Sequence, residues 1–310
     1  MAMPTPHFIC IGAQRAGTTW LYETLSRHPD VFLPPIKELH YFDSIDPDAP
    51  IGYRFHQRGY RLRRKAKTFA RSLALMGTGR ARHPGLLLDF WRHYFLGDGS
   101  VDWYLRLFQS AAQAGKVTGE ITPAYALLSP PYIARLRQLN PELRLIYILR
   151  NPIDRAFSQA TKDLIRRQRV RADQVSEAEL TAFLKSEVCY GRSDYLTTLK
   201  KFRQHFDGDR LMICFFDDIK ANPQGLINQI CQFIGISPLH PQTRLNTQVN
   251  SSSHLMGQMP EAIATLLVQQ YTPLLRDLAS EVGGPAQTWY AQALSYSPAA
   301  VSPPPSQLSQ

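Results

Sequence analysis

The sequence is poor in cysteine, lacks long apolar runs and has fewer acidic than basic residues. Its four cysteines form no C-x-x-C pair, which indicates neither a disulfide framework nor a metal site; they are Cys10, Cys189, Cys214 and Cys231. No run of about 18 apolar residues is present, so we expect no transmembrane helix. Residues 1–7 lack the basic and apolar regions of a signal peptide. The default prediction is a cytoplasmic protein.

The chain does have enough apolar sequence for a full core, together with a surplus of positive charge. Of its 310 residues, 44% are hydrophobic, and the formal net charge is +10. This composition excludes a largely disordered chain. The basic surplus favours an anionic partner, such as a nucleotide, a nucleic acid, an acidic glycan or a membrane surface, without choosing among them.

Apolar runs separated by helical patterns predict the strands of a parallel sheet. The predicted strands cover 7–12, 116–121 (the weakest), 143–150 and 211–216. Near-continuous apolar strands of this kind are typical of a parallel sheet covered by helices on both faces. The predicted fold class is therefore α/β.

Helical periodicity predicts helices over 18–28, 152–168, 195–205, 223–234 and 260–282. Asn151 is expected to cap the second of these, with Pro152 in its first turn. We predict one domain over 1–296 with a helical insertion at about 44–100, and a disordered tail over 297–310, which is rich in Ser, Pro and Gln.

The insertion contains a strongly basic stretch, 58–71, with the sequence RGYRLRRKAKTFAR. One interpretation is a solvated helix face. The other is a surface for an acidic acceptor, a carrier or a membrane. The sequence leaves both interpretations open.

The most specific motif is a glycine loop between the first strand and the first helix, Gly12–Thr19 (GAQRAGTT). Its G-x-x-x-x-G spacing matches a phosphate cradle, in which backbone N–H groups and a helix N-terminus hold an anion. Thr18 stands where an ATPase loop has its lysine, and the cation is Arg15 instead. The loop therefore fits a 5′-phosphate-type group better than the Mg²⁺-bound phosphates of ATP.

At these residues the chain resembles the sulfotransferases that use 3′-phosphoadenosine 5′-phosphosulfate (PAPS), whose loop runs Pro/Gln-Lys/Arg-x-Gly-Thr-Thr. The resemblance implies a P-loop-like α/β fold and PAPS as co-substrate, without a metal. It assigns co-substrate binding to Gln14, Arg15, Ala16, Gly17, Thr18, Thr19 and Trp20. Because Arg15 replaces the usual lysine, it keeps the positive charge but cannot donate a proton to the leaving oxygen.

Three further motifs extend the resemblance over most of residues 7–236. Arg150, at the end of a strand, and Ser158, in the following helix, match the residues with which the family binds the 3′-phosphate. At about 100° per residue, Ser158 lies off the apolar stripe of its helix, where it can face a ligand. The segments Lys37–Phe42 (KELHYF) and Gly119–Tyr125 (GEITPAY) resemble the heparan-sulfate-type branch.

In that branch the glutamate of the first segment is the proposed general base. Here it is Glu38, and His40 is the alternative base. Arg15 and Lys37 are expected to neutralise charge on the transferred group. The Lys-Gly-Arg segment that closes over the nucleotide in the branch is absent, and Asn250–His254 is the candidate replacement.

The resemblance implies an enzyme that moves a sulfuryl group from PAPS to a hydroxyl of a glycan, a lipid, a small metabolite or a carrier-bound polyketide. It implies no nucleic-acid partner. One alternative is a P-loop nucleotide kinase or other phosphotransferase, which predicts a lysine before the pair Thr18 and Thr19. Another is a non-catalytic nucleotide-binding module, against which Lys37 and Glu38 argue.

Overall fold

The structure is a computed structural model that describes residues 5–49, 57–79, 81–167, 175–240, 245 and 259–296. The described residues fall into two compact units. The first unit draws on 1–150 and 186–252, and the second on 151–185 and 253–310. The described elements of the second unit are all helices, whereas the first unit contains the sheet. The boundaries of the predicted single domain, 1–296, stay a prediction.

A parallel sheet forms the centre of the first unit. Its strands are β1 (Phe8–Gly12), β2 (Val31–Phe32), β3 (Val117–Ile121), β4 (Arg144–Leu149) and β5 (Leu211–Phe215). Their order is β2-β3-β1-β4-β5, and all the pairs are parallel. β1 is buried along its whole length because it lies between β3 and β4 and is apolar on both faces. The predicted α/β class is confirmed, while the edge strand β2 is too short for its pattern to be recognised.

One or more helices lie between each pair of consecutive strands along the chain. The helices are α1 (Thr18–Leu25), α2 (Phe42–Ile45), α3 (Gln57–Gly77), α4 (Pro84–Leu96), α5 (Val101–Gln113), α6 (Pro130–Leu139), α7 (Pro152–Ala160), α8 (Glu177–Leu184), α9 (Glu187–Gly191), α10 (Tyr195–Arg203), α11 (Phe216–Ala221), α12 (Pro223–Ile234), α13 (Glu261–Val282) and α14 (Pro285–Ser295). A 3₁₀ helix (Pro123–Leu127) follows β3, and a π-helix (Thr161–Arg167) continues α7.

The parallel order brings the carboxyl ends of four strands to one edge of the sheet. The loop Gly12–Thr19 follows β1, Thr122 follows β3, Arg150 follows β4 and Phe216 follows β5. In open α/β sheets ligands bind outside the carboxyl ends of the strands. This edge of the first unit is therefore where its candidate residues can meet.

The predicted insertion at 44–100 is mostly helical. The helix α3 contains the basic stretch, and Phe69 of α3 packs against Trp91 and Phe95 of α4, with ring centroids 5.1 and 5.3 Å apart. Aromatic contacts at these distances stabilise a helix pair beyond their buried area. Both interpretations of the basic stretch stay predictions.

In the second unit, α13 packs against α14, α7 and α8. The helix predicted over 152–168 is α-helical for only nine residues and then becomes a π-helix. The hydroxyl of Thr161 donates to the Phe157 carbonyl at 2.9 Å, a bond that competes with the backbone ladder. The buried side of α7 includes two polar residues beside the apolar ones, since Arg155 and Gln159 are buried and hydrogen-bond to each other at 2.7 Å.

Within the described part of the chain, no helix combines the length and the apolarity that a bilayer span requires. All four cysteines are free and buried, which fits their interpretation as small core residues. The cytoplasmic location stays a prediction. The predicted tail, 297–310, lies outside the described residues.

Candidate active site

The loop Gly12–Thr19, called the phosphate loop below, turns from β1 into α1. Its Ala13 N–H donates to the Ile148 carbonyl of β4 at 2.8 Å, and its Ala16 N–H donates back to the Ala13 carbonyl at 3.2 Å. Arg15 has a left-handed φ of 73°, which is uncommon for a residue other than glycine. Backbone bonds to the neighbouring strand and within the turn thus fix the shape of the loop.

Gly17 ends the tight part of the phosphate loop and precedes the first residue of α1. Its φ is 88°, in the left-handed region that favours glycine. A Cβ at this position would lie 2.4 Å from Ile219 Cδ1 and 3.0 Å from Phe216 Cδ2, both on α11. The close approach of α11 therefore requires glycine here, and the first N–H groups of α1 are left for an anion.

Arg150 brings a second guanidinium to the phosphate loop. Its Nη1 donates to the Arg15 carbonyl at 3.0 Å, and its guanidinium carbon lies 4.7 Å from the centroid of the Phe216 ring. The Tyr195 hydroxyl donates to the Arg150 carbonyl at 2.8 Å and fixes the backbone there. The hydrogen bond and the cation–π contact hold this positive charge beside the loop.

The segment Lys37–Asp43, called the acid–base segment below, meets the phosphate loop at Thr18. Lys37 Nζ donates to Thr18 Oγ1 at 3.4 Å and to Glu38 Oε1 at 2.6 Å. The Lys37 side chain is 10% exposed, whereas that of Glu38 is 26% exposed. One ammonium group therefore joins the loop to a carboxylate that solvent, or an acceptor, can still reach.

His40 lies between two carboxylates of the same segment. Its Nδ1 is 2.7 Å from Asp43 Oδ2, and its Nε2 is 3.5 Å from Glu38 Oε2. Burial alone would lower the pKa of His40, but the hydrogen bonds to Asp43 and Glu38 raise it to about 9. His40 is therefore protonated at neutral pH, and both of its ring nitrogens are donors.

Glu38 stays ionised because two positively charged groups, Lys37 and His40, contact its carboxylate. Burial would raise its pKa, but the charge of Lys37 and the hydrogen bond from His40 hold that pKa well below the usual value. Glu38 and His40 have left-handed φ values of 65° and 56°. Such conformations cost about 1–3 kcal/mol each and persist where surrounding contacts impose them. One such contact is the Glu38 N–H, which donates to the Ile121 carbonyl at 3.2 Å.

A further carboxyl group lies beneath the acid–base segment, at Glu120 of β3. The Tyr104 hydroxyl donates to its Oε1 at 2.8 Å, and the Thr122 hydroxyl donates to its Oε2 at 3.2 Å. Tyr125 also hydrogen-bonds to it. Only 2% of Glu120 is exposed, so this carboxyl group cannot reach a ligand directly.

The sulfotransferase domain family model matches residues 5–256 of the chain. The chain belongs to the sulfotransferase family. The match includes the phosphate loop, the acid–base segment and Arg150, and it confirms the resemblance that these motifs indicated.

Curated relatives in the family are distant in sequence. The human bifunctional heparan sulfate N-deacetylase/N-sulfotransferase 2 is 23% identical over 257 residues, which are 77% of this chain and 23% of that protein. The mouse heparan sulfate glucosamine 3-O-sulfotransferase 3A1 is 23% identical over 236 residues, or 74% of this chain and 46% of the relative. The chain thus spans less than half the length of these relatives.

Solved sulfotransferases share the fold. The crystal structure of a sulfotransferase from Alicyclobacillus acidocaldarius aligns with a TM-score of 0.62 at 23% identity, over 92% of this chain and 99% of that one. The sulfotransferase domain of the Synechococcus PCC 7002 olefin synthase aligns with a TM-score of 0.51 at 18% identity, over 86% and 88% of the two chains. At these identities the likeness establishes the fold alone.

The first unit of this sulfotransferase brings together most of the predicted site. The phosphate loop contacts Arg150 through the Arg15 carbonyl and the acid–base segment through Thr18. Within the loop and the start of α1, the buried residues are Ala16, Thr18 and Trp20, and the partly exposed ones are Gln14, Arg15, Gly17 and Thr19. Ser158 is half-buried on α7 of the second unit, and its pairing with Arg150 stays a prediction. Asn250–His254 lies outside the described residues.

Sequence reasoning missed Asp43 and Glu120. The available signal for Asp43 was its position three residues after His40, close enough along the chain for the two side chains to meet. The signal for Glu120 was a charged residue inside an otherwise apolar strand. Such a residue is almost never fully buried unless it has partners.

Proposed function

We propose that this chain transfers a sulfuryl group from PAPS to a hydroxyl acceptor. One observation carries the proposal: Lys37 donates to Thr18 of the phosphate loop at 3.4 Å and to Glu38 at 2.6 Å. A single cation thus stands between a phosphate cradle and an ionised carboxylate. In-line transfer of a charged group depends on positioning the reactants and neutralising charge, and this arrangement supplies both.

The residues around the phosphate loop fit this co-substrate. The loop N–H groups and the start of α1 would hold the 5′-phosphosulfate, and Arg15 and Lys37 would neutralise its oxygens. Arg150 would hold the 3′-phosphate. Gly17 allows the left-handed turn that leads the loop into α1, whose first N–H groups have no carbonyl partner within the helix. When bound, PAPS supplies the activated sulfuryl group, and the proposal invokes no metal.

Glu38 is the proposed general base. At neutral pH Glu38 is ionised, the form that can accept the proton of the acceptor hydroxyl as that oxygen attacks, while its lowered pKa limits its strength as a base. Lys37 would neutralise the negative charge on the oxygens of the transferred sulfuryl group, which lie near the phosphate loop. His40 is a poorer candidate for the base, because at neutral pH it already carries the proton that a base must accept. In this proposal His40 orients Glu38.

The acceptor is inferred by its chemistry only. The name of one relative specifies 3-O-sulfation of heparan sulfate glucosamine, and a 3-O position is a hydroxyl. We propose that the acceptor of this chain also provides a hydroxyl group, but we do not propose that it is the same glycan. Its acceptor is therefore to be sought among glycans, lipids, small metabolites and carrier-bound polyketides, in a screen with PAPS labelled with ³⁵S.

Nucleotide binding distinguishes this proposal from a P-loop kinase. Because a ligand at 100 times its Kd stabilises the folded state by about 2.7 kcal/mol, 3′-phosphoadenosine 5′-phosphate (PAP) should raise the melting temperature. ATP with Mg²⁺ should have little effect, since Thr18 replaces the lysine that ATP requires. The Arg150→Ala variant should lose the preference for PAP over adenosine 5′-phosphate. A larger shift with ATP and Mg²⁺ than with PAP would overturn the proposal.

The labelled-PAPS screen then separates an enzyme from a binding module. An enzyme transfers the label to one of the acceptor pools, and Glu38→Gln abolishes most of that transfer without changing the response to PAP. A chain that binds PAP but labels no pool would be a non-catalytic nucleotide-binding protein.

A further inference from the structure

The buried carboxyl group of Glu120 has no part in the chemistry proposed above. It accepts hydroxyl hydrogen bonds from Tyr104 of α5, from Thr122 and from Tyr125 of the 3₁₀ helix. Its three partners are themselves at most 1% exposed. Burying such a polar group is costly unless every hydrogen bond is made, so a fully partnered carboxylate in the core is expected to have a defined role.

The directions of these hydrogen bonds connect Glu120 to the acid–base segment. The Tyr125 hydroxyl oxygen accepts from the Tyr41 N–H at 3.0 Å and from the Phe42 N–H at 3.4 Å. A phenol has a single proton, and here both N–H groups are donors, so that proton is left to donate to Glu120. Glu120 thereby fixes the direction in which the lone pairs of Tyr125 point.

The two N–H groups belong to the backbone that carries the proposed base. Tyr41 and Phe42 lie between His40 and Asp43, the pair whose 2.7 Å contact keeps the imidazole in place. Their rings pack on the same network, since Tyr41 stacks on Tyr104 with ring centroids 4.7 Å apart. Loss of the Tyr125 acceptor would leave two buried N–H groups without this partner and would free the segment to move.

We propose that Glu120, acting through Tyr125, is a positioning residue that holds the acid–base segment, with the left-handed backbone of Glu38 and His40, in its catalytically competent conformation. The inference rests on the proposed function for its catalytic consequence, but its structural content can be tested without an acceptor. Glu120 itself touches neither co-substrate nor acceptor in this proposal.

The hydrogen-bond donors around Glu120 match its ionised form, which predominates only above a pH of about 7. Burial raises its pKa to about 7, while the hydrogen bonds from Tyr104, Tyr125 and Thr122 act to lower it and the charge of Asp43 on α2 raises it further. Burial also raises the pKa values of Tyr104 and Tyr125 well above their usual range, so both phenols remain donors. The network is therefore fully matched when Glu120 is ionised, because a carboxylate only accepts.

Two conservative variants test the proposal. Tyr125→Phe keeps the ring and removes the oxygen that accepts from Tyr41 and Phe42. Glu120→Gln keeps the shape but introduces an NH₂ group, which cannot accept from a hydroxyl. The first readout is the titration of His40 by NMR, because its pKa of about 9 depends on the placement of Asp43 and Glu38 around it.

We expect both variants to shift the pKa of His40 from about 9 towards its ordinary value of 6.5. With an acceptor from the screen, kcat should fall by about 10²-fold, the cost of a misplacement near 1 Å, while PAP affinity stays unchanged. The double variant should be no worse than Tyr125→Phe alone, since coupled residues are not additive.

Thr198→Val is the matched control. The Thr198 hydroxyl is buried and donates to the Ala126 carbonyl of the same 3₁₀ helix at 3.2 Å, but it does not contact Glu120 or the acid–base segment. The control should lower the melting temperature and leave the His40 titration unchanged. If Tyr125→Phe and Glu120→Gln behave like this control, lowering the melting temperature without shifting the pKa of His40, Glu120 is a packing residue and the proposal is overturned. If wild-type protein neither binds PAP nor transfers label, the proposed function fails while the His40 titration still decides this inference.

Discussion

The phosphate loop and the acid–base segment lie at the same edge of the sheet but are held by different forces. The loop is fixed by backbone hydrogen bonds, such as that from Ala13 to Ile148, and by the close approach of α11 to Gly17. The segment is held by side-chain charges, with Lys37 on Glu38 and His40 between Glu38 and Asp43. Backbone contacts do not titrate, whereas these side chains do. We therefore expect binding at the loop to be insensitive to pH and chemistry at the segment to depend on it.

Glu38→Gln should remove the chemistry of the acid–base segment without affecting binding at the phosphate loop, and it has the largest expected effect. The amide keeps the shape but cannot accept a proton, so turnover should fall by about 10²–10⁴-fold while PAP affinity stays near that of the wild type. Steady-state kinetics with saturating acceptor and calorimetry with PAP measure the two quantities. Full turnover in the variant would reject Glu38 as the base, and His40→Ala would then be tested in the same way.

Arg15→Ala should weaken PAP binding at the phosphate loop without changing the charges of the acid–base segment. Removing a charge-assisted contact to the phosphosulfate should weaken PAP binding by about 1.5–3 kcal/mol. The pKa of His40 should remain near 9, because burial and the contacts with Asp43 and Glu38 dominate it. Calorimetry measures the affinity. Unchanged affinity and turnover would count decisively against the assignment of the loop.

Gly17→Ala tests whether the loop depends on backbone shape. The substitution combines a strained φ of 88° with a Cβ 2.4 Å from Ile219 Cδ1. Gly79→Ala is the matched control, since Gly79 has a φ of 68° with nothing within 4 Å of the added Cβ. Both should lose about 1–2 kcal/mol of stability from the left-handed conformation. Only Gly17→Ala should also weaken PAP binding. Equal PAP affinity in the two variants would show that α11 does not shape the cradle.

The last prediction concerns the stability of the segment as pH changes. The pKa of His40 is raised in the folded state from 6.5 to about 9, so its contribution to stability is complete below pH 6.5 and is lost as the pH rises through about 9. Asp43→Asn removes the largest of the interactions that raise this pKa. The stability of the variant should therefore change less than that of the wild type between those two pH values. Urea unfolding at several pH values measures the difference, and parallel curves would refute the assignment.

Local patterns made the phosphate loop and most elements predictable. The spacing of Gly12 and Gly17 is local, because a cradle is a turn made of consecutive residues. The helix over 223–234 was predicted with the bounds that the structure shows, since its apolar spacing and its proline at the first position are also local. The helix over 152–168 was predicted, but its change to a π-helix at Thr161 was not, because the bond from Thr161 to Phe157 depends on side-chain chemistry rather than on periodicity.

The sequence by itself determined the parallel sheet, the loop and the identity of the candidate acid–base residues, because each follows from residue types within a few positions of one another. Only the tertiary structure decided how those residues are charged. The Lys37 contact to Thr18 joins two segments 19 residues apart, and the bond from the Tyr41 N–H to the Tyr125 hydroxyl spans 84 residues. A pKa depends on the distances to charges and on burial, and no spacing along a chain specifies either before the chain has folded.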